Sequence, residues 1–86
     1  MHTISITNQF QRQFSKLHPE LKEEIISKLE ALKDQSNHQS LKVHKLKGRL
    51  ADRYGFSINY KIRIVFNFFE NDEIILLAVG NHDVYR

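Results

Sequence analysis

The sequence predicts an α+β fold: two N-terminal helices packed on one face of a twisted, mainly antiparallel four-stranded sheet, in the order β-α-α-β-β-β. Three observations carry this. Apolar residues recur at helical spacing between Phe10 and Leu32. From residue 53 onward the apolar period is two. Polar, turn-prone residues stand between the runs, at 36–40, 59–61 and 71–72. With 86 residues the chain can build one core, so residues 1–86 read as a single domain.

Residues 2–6 alternate, which makes a short strand with Ile4 and Ile6 on one face. Thr7 or Asn8 can cap the helix that follows. There Phe10, Phe14 and Leu17 recur at i, i+4 and i+7. His18-Pro19 breaks this helix, and Pro19 suits the first turn of a second, with Glu20, Glu23 and Glu24 near its positive end. Leu21, Ile25, Leu29 and Leu32 form its buried stripe, and the helix stops near Asp34.

Residues 53–59 read as a strand with Tyr54, Phe56 and Ile58 on one side. After a tight turn, residues 62–68 read as a central strand. Ile62, Ile64, Phe66 and Phe68 face one way, and Arg63 faces the other. Residues 73–79 form the last strand, which Gly80 ends. The expected core joins Phe10, Phe14, Leu21, Ile25 and Leu29 to Ile62, Ile64, Phe66, Leu76 and either Ala78 or Leu77. The sheet face bearing Arg63 is expected to be open.

Composition excludes several classes. At 41% hydrophobic and 27% charged, the chain is globular rather than disordered. It has no cysteine, so disulfide scaffolds, iron–sulfur sites, thiol nucleophiles and cysteine zinc sites are out. Three isolated glycines form no phosphate cradle of the GxGxxG or P-loop kind. His2, His18 and His38 lack a ligand spacing such as HExxH, so no metal site and no cofactor is expected. The longest apolar run, residues 74–79, falls far short of a membrane span. Residues 1–20 lack a secretion-signal pattern, and the expected location is the cytoplasm.

The net charge of +3 is unevenly placed. Residues 1–34 are neutral overall. Residues 42–63 hold Lys42, Lys45, Lys47, Arg49, Arg53, Lys61 and Arg63 against Asp52 alone, with His44 among them. Such a segment fits a polyanion site, and it equally fits an edge strand kept soluble by its lysines.

The run His44-Lys-Leu-Lys-Gly48, the strand Tyr60-Lys-Ile-Arg-Ile-Val-Phe66, and the ending Leu76-Leu-Ala-Val-Gly80-Asn-His82-Asp-Val-Tyr85-Arg86, in this order and at these spacings, resemble the RelE/ParE toxin superfamily of type II toxin–antitoxin systems. The resemblance covers nearly the whole chain, and its β-α-α-β-β-β order matches the family's. It implies a toxin silenced by a cognate antitoxin that covers the open face. In the RelE/YafQ-like branch it implies a ribosome-dependent, metal-free endoribonuclease that cuts mRNA. The ParE-type branch instead inhibits DNA gyrase without nuclease activity. A third possibility is a catalytically degenerate RNA-binding homologue.

In the nuclease branch, the resemblance implies that His82 is the general acid and that Arg63 holds the scissile phosphate. Histidine transfers protons near neutral pH, and arginine clamps phosphate through two parallel hydrogen bonds. Tyr85 matches the terminal aromatic, which stacks on a base, orients the phosphate, or simply plugs the core. His44 aligns with a supporting histidine. Lys45, Lys47, Arg49, Arg53 and Lys61 are expected to touch RNA backbone without sequence choice. Period two brings His82, Arg63 and Tyr85 toward one concave site with His44 at its rim. The chain departs from the RelE pattern at Gly55 and Ser57, where the best-known members carry lysines.

Overall fold

Each apolar run folds at its own period in the computed structural model, which describes residues 1–85; Arg86, the end of the C-terminal motif, lies outside the described residues. Strand β1 (Thr3–Ile6) runs into helix α1 (Asn8–Ser15) through Thr7, whose Oγ1 accepts the Phe10 N–H at 3.1 Å and so caps the helix. Helix α2 (Pro19–Leu32) begins at Pro19, as the missing N–H of proline allows. A 3₁₀ turn (Gln35–Asn37) follows, and then the sheet strands β2 (His44–Lys45), β3 (Tyr54–Ser57), β4 (Arg63–Phe69) and β5 (Glu73–Gly80). Two more 3₁₀ turns, Gly48–Leu50 and His82–Tyr85, stand between β2 and β3 and after β5. The β4–β5 turn takes positive φ at Asn71 and Asp72, residue types that tolerate it.

The sheet has five strands rather than four, in the order β1-β5-β4-β3-β2. The added strand, β2, is two residues long, too short for a period to register. β1, which precedes both helices, pairs parallel with β5, while the other pairs are antiparallel. Phe10, Ile25 and Leu32 pack on Phe56, Ile64, Phe66, Ile74 and Leu76 in the helix-facing core. Phe14, Leu21, Leu29 and Ile62 are half-buried around it.

The expectation for Ala78 or Leu77 needs correction. Val65 pairs with Ala78 but Phe66 pairs with Leu76, so Leu77 is an extra residue, a β-bulge. The bulge reverses the phase of β5. Val79 enters the helix-facing core, and Ala78 turns to the opposite face. Where β1 ends, α1 covers the exposed edge of β5: Gln13 Oε1 accepts the Val79 N–H at 2.9 Å, and Thr7 Oγ1 donates to the carbonyls of Leu76 and Leu77.

The sheet face away from the helices is not open along its length. Leu46 and Leu50 fold back onto Val65 and Ala78 there, and Leu77, Val84 and Tyr85 pack beside them. Two short segments, the one after β2 and the C-terminal 3₁₀ turn, thus form a second, smaller core. Among the described residues, no helix is long and apolar enough to cross a membrane.

Candidate functional site

The register of the sheet builds the site. His44, Gly55, Val65 and Ala78 stand side by side across four strands, and Ser57, Arg63 and Gly80 form the next row on the same face. Residues opposite one another share a face, so all seven positions lie on the side away from the helices. Gly55 and Gly80 are both needed there for close approach. A Cβ on Gly55 would fall 2.9 Å from Tyr85 Cε1, and one on Gly80 would fall 2.8 Å from Val84 Cγ1. The two glycines leave room for the C-terminal turn to lie down on the sheet. Gly80 does not use a left-handed backbone to bend the chain.

Tyr85 is the hub of the result. Its ring meets His44 edge-on, with centroids 6.0 Å apart, and His82 likewise at 5.3 Å. Its hydroxyl is buried without a hydrogen-bond partner. Burial raises the phenol above its ordinary pKa, while the nearby Arg63 guanidinium opposes the rise. A hollow of about 470 Å³ opens beside this ring, lined by His44, Lys45, Leu46, Lys47, His82 and Tyr85. The His44 imidazole stands 3.0 Å from the Lys42 carbonyl through Nδ1. A carbonyl only accepts, so Nδ1 carries the hydrogen, and in the neutral ring Nε2 is the basic nitrogen.

His44, His82 and Tyr85 therefore come together, with Lys45 and Lys47 alongside. Arg63 does not line the hollow. It stands close enough to Tyr85 for its charge to act on the phenol, and its Nη1 donates to the Asn59 carbonyl at 2.8 Å. Arg49 is exposed on the Gly48–Leu50 turn. Lys61 is exposed in the β3–β4 turn, its ammonium 5.9 Å from the Tyr60 ring centroid. Arg53 faces a separate hollow of about 320 Å³, floored by Leu50, Val65 and Ala78 and shared with Gln9 and Gln13.

Three features escaped the sequence reading. In the sequence Gly55 stands out only as a position without the family's lysine, yet it is the seat of Tyr85. Leu46 and Leu50, four residues apart within the basic run, were the available signal for the second core. Gln13 carried no signal, because its partner is a backbone group 66 residues away.

Two helices on one face of this five-stranded mixed sheet make a RelE-like fold. The chain is similar to the YoeB–YefM complex from Staphylococcus aureus, at 19% identity over 95% of this chain and 98% of that one, with a TM-score of 0.75. It is similar to the intact E. coli RelBE toxin–antitoxin complex, at 17% identity over 94% and 96%, with a TM-score of 0.74. A copper-bound mutant toxin from Helicobacter pylori matches at 25% identity over 98% of each chain, with a TM-score of 0.66. No protein-family model matches the chain, and neither does any curated protein.

Proposed function

We propose that this chain is the toxin of a type II toxin–antitoxin pair, a ribosome-dependent endoribonuclease that cuts mRNA in the cytoplasm and arrests translation. The observation that supports it best is the meeting of His44, His82 and Tyr85 in one hollow with Lys45 and Lys47 beside them. Two imidazoles on one hollow suit a reaction that must move two protons.

In this reading the substrate's own 2′-hydroxyl attacks the neighbouring phosphorus, and the bond from phosphorus to the 5′-oxygen breaks. His44 takes the hydroxyl proton on Nε2, the nitrogen that its bond to the Lys42 carbonyl leaves basic. His82 gives a proton to the departing 5′-oxygen. Arg63 offers positive charge to the phosphate, and Tyr85 orients it or stacks on a base. Lys45 and Lys47 draw in the RNA backbone, helped by Arg49, Arg53 and Lys61. The products are a 2′,3′-cyclic phosphate and a 5′-hydroxyl.

The partner is an antitoxin carrying acidic groups against Lys45, Lys47, Arg49 or Arg63. It covers the hollow and the basic rim rather than a bare sheet, since residues 46–50 and 82–85 already occupy the middle of that face.

Primer extension on mRNA from induced cells, with and without ribosomes, tests the proposal. Expected are discrete 5′-ends within translated frames that need ribosomes and vanish in His82→Ala. Undiminished toxicity of His82→Ala together with a DNA-damage response would reject the nuclease and make gyrase the target.

A further inference from the structure

Arg63 opens β4 on the face that carries the site, and a neighbouring turn holds its guanidinium. Nη1 donates to the backbone carbonyl of Asn59 at 2.8 Å. That carbonyl belongs to the turn between β3 and β4, and the Asn59 side chain shapes the turn. Asn59 Oδ1 accepts the N–H groups of Lys61 and Ile62, each at 2.8 Å. The Ile58 N–H closes the base of the loop on the Ile62 carbonyl, also at 2.8 Å. An asparagine that takes two successive N–H groups in this way fixes the peptides that follow it. The first of those peptides carries the carbonyl that grips Arg63.

The grip uses one particular nitrogen. A guanidinium meets a phosphate side-on through a fork made of Nε–H and Nη2–H, and Nη1 lies outside that fork. Anchoring Nη1 therefore restrains the group while leaving the side-on fork for two oxygens of one phosphate. Across the sheet Arg63 stands between Ser57 and Gly80, a hydroxyl and a bare backbone, so its own row offers no carboxylate to hold it. Without an anchor, a half-buried arginine keeps rotamer freedom that a bound phosphate would have to remove.

We propose that Asn59 is a positioning residue for the cleavage reaction: through its turn it presets Arg63, with the Nε–Nη2 fork left for the scissile phosphate, before RNA arrives. The proposal rests on the ribonuclease reading for its substrate. Asn59 touches no reacting atom and acts through Arg63. Donors fixed in advance need no reorganisation when charge develops on the phosphate, which is where they accelerate the reaction. A turn that served only to close the hairpin would make Asn59 matter equally with and without Arg63.

The test is single-turnover cleavage of programmed ribosomes by Asn59→Ala, Arg63→Ala and the double variant. Asn59→Ala should slow the bond-breaking step about 10–100-fold, the effect of a misplacement of about 1 Å, while the ribosome concentration for half-maximal rate changes less than about threefold. In the Arg63→Ala background the same substitution should slow cleavage no further. Asn59→Asp keeps the accepting oxygen and should restore most of the rate. If alanine prevents folding, as the melting temperature reports, Asn59→Ser takes its place, because a hydroxyl forms the same turn more weakly. A second measurement needs no cleavage. In isotope-labelled protein the Arg63 Nε–H resonance should lose order in Asn59→Ala, read as a fall in its heteronuclear NOE, and keep it in Asn59→Asp. Equal slowing with and without Arg63 overturns the proposal. So does an Arg63 Nε–H as ordered in Asn59→Ala as in the parent. Failure of the ribonuclease reading looks different: the parent chain then leaves mRNA uncut on ribosomes, and the NMR measurement still decides whether Asn59 holds Arg63.

Discussion

The ring of Tyr85 rests on the backbone of Gly55, so close that a Cβ there would fall 2.9 Å from Cε1 and 3.0 Å from the hydroxyl oxygen. Leu46 Cδ2 would be 3.1 Å away. Any side chain at position 55 competes with Tyr85 for the same space. Gly55→Ala should therefore cost about 1–3 kcal/mol through overpacking. The cost should shrink in a Tyr85→Ala background, because the clash is with that ring. A double-mutant cycle by chemical denaturation measures the coupling. Additivity would mean that Tyr85 does not sit on Gly55.

Tyr85 should cost stability. Its hydroxyl is buried and unpartnered, a state that costs about 1–3 kcal/mol, so Tyr85→Phe should raise stability by about 1 kcal/mol. The same substitution should lower RNA cleavage if the hydroxyl meets the phosphate. A variant that is more stable and less active would mark a group kept for function.

Alkaline pH gives an independent reading of the same ring. Burial lifts the Tyr85 phenol above its ordinary value of about 10, against the pull of Arg63. The unfolded chain then loses this proton at lower pH than the folded one. The stabilising effect is present below pH 10 and fades as pH rises through the higher folded value. Melting temperature should fall more steeply above pH 10 in the parent than in Tyr85→Phe.

His82 is exposed, so its removal should leave the fold intact. His82→Ala should slow cleavage by about 10²–10⁴-fold, the usual share of general acid–base catalysis. Arg63→Lys should restore only part of what Arg63→Ala loses, because an ammonium lacks the planar fork. Single-turnover cleavage of programmed ribosomes separates these losses from weakened binding. Equal rates for Arg63→Lys and the parent would remove the phosphate clamp from the scheme.

Gln13 holds the bulged strand. Gln13→Leu strips the Val79 N–H of its acceptor and should cost about 1–3 kcal/mol. Gln13→Glu should cost much less, since an oxygen remains. Hydrogen exchange at Val79 should accelerate in the leucine variant alone.

Local sequence was enough to place both helices, a cap at Thr7 or Asn8 that the structure gives to Thr7, the break at Pro19, and the facing of Ile64, Phe66 and Arg63. These features depend on neighbours a few residues away, where side-chain direction follows from backbone geometry. Tertiary structure decided the rest. The parallel pairing of β1 with β5, the two-residue β2, and the bulge at Leu77 that exchanges Ala78 for Val79 are pairings between distant segments. No local period encodes them. The candidate site divides the same way. Period two set Arg63 on the outer face, but the seat of Tyr85 on Gly55, the closing of the second core, and the separation of Arg53 from His44 into different hollows arose only when the C-terminal turn was laid across the sheet. Steric fit between segments tens of residues apart is a property of the assembled surface, and a one-residue change of register there moves every side chain beyond it to the other face.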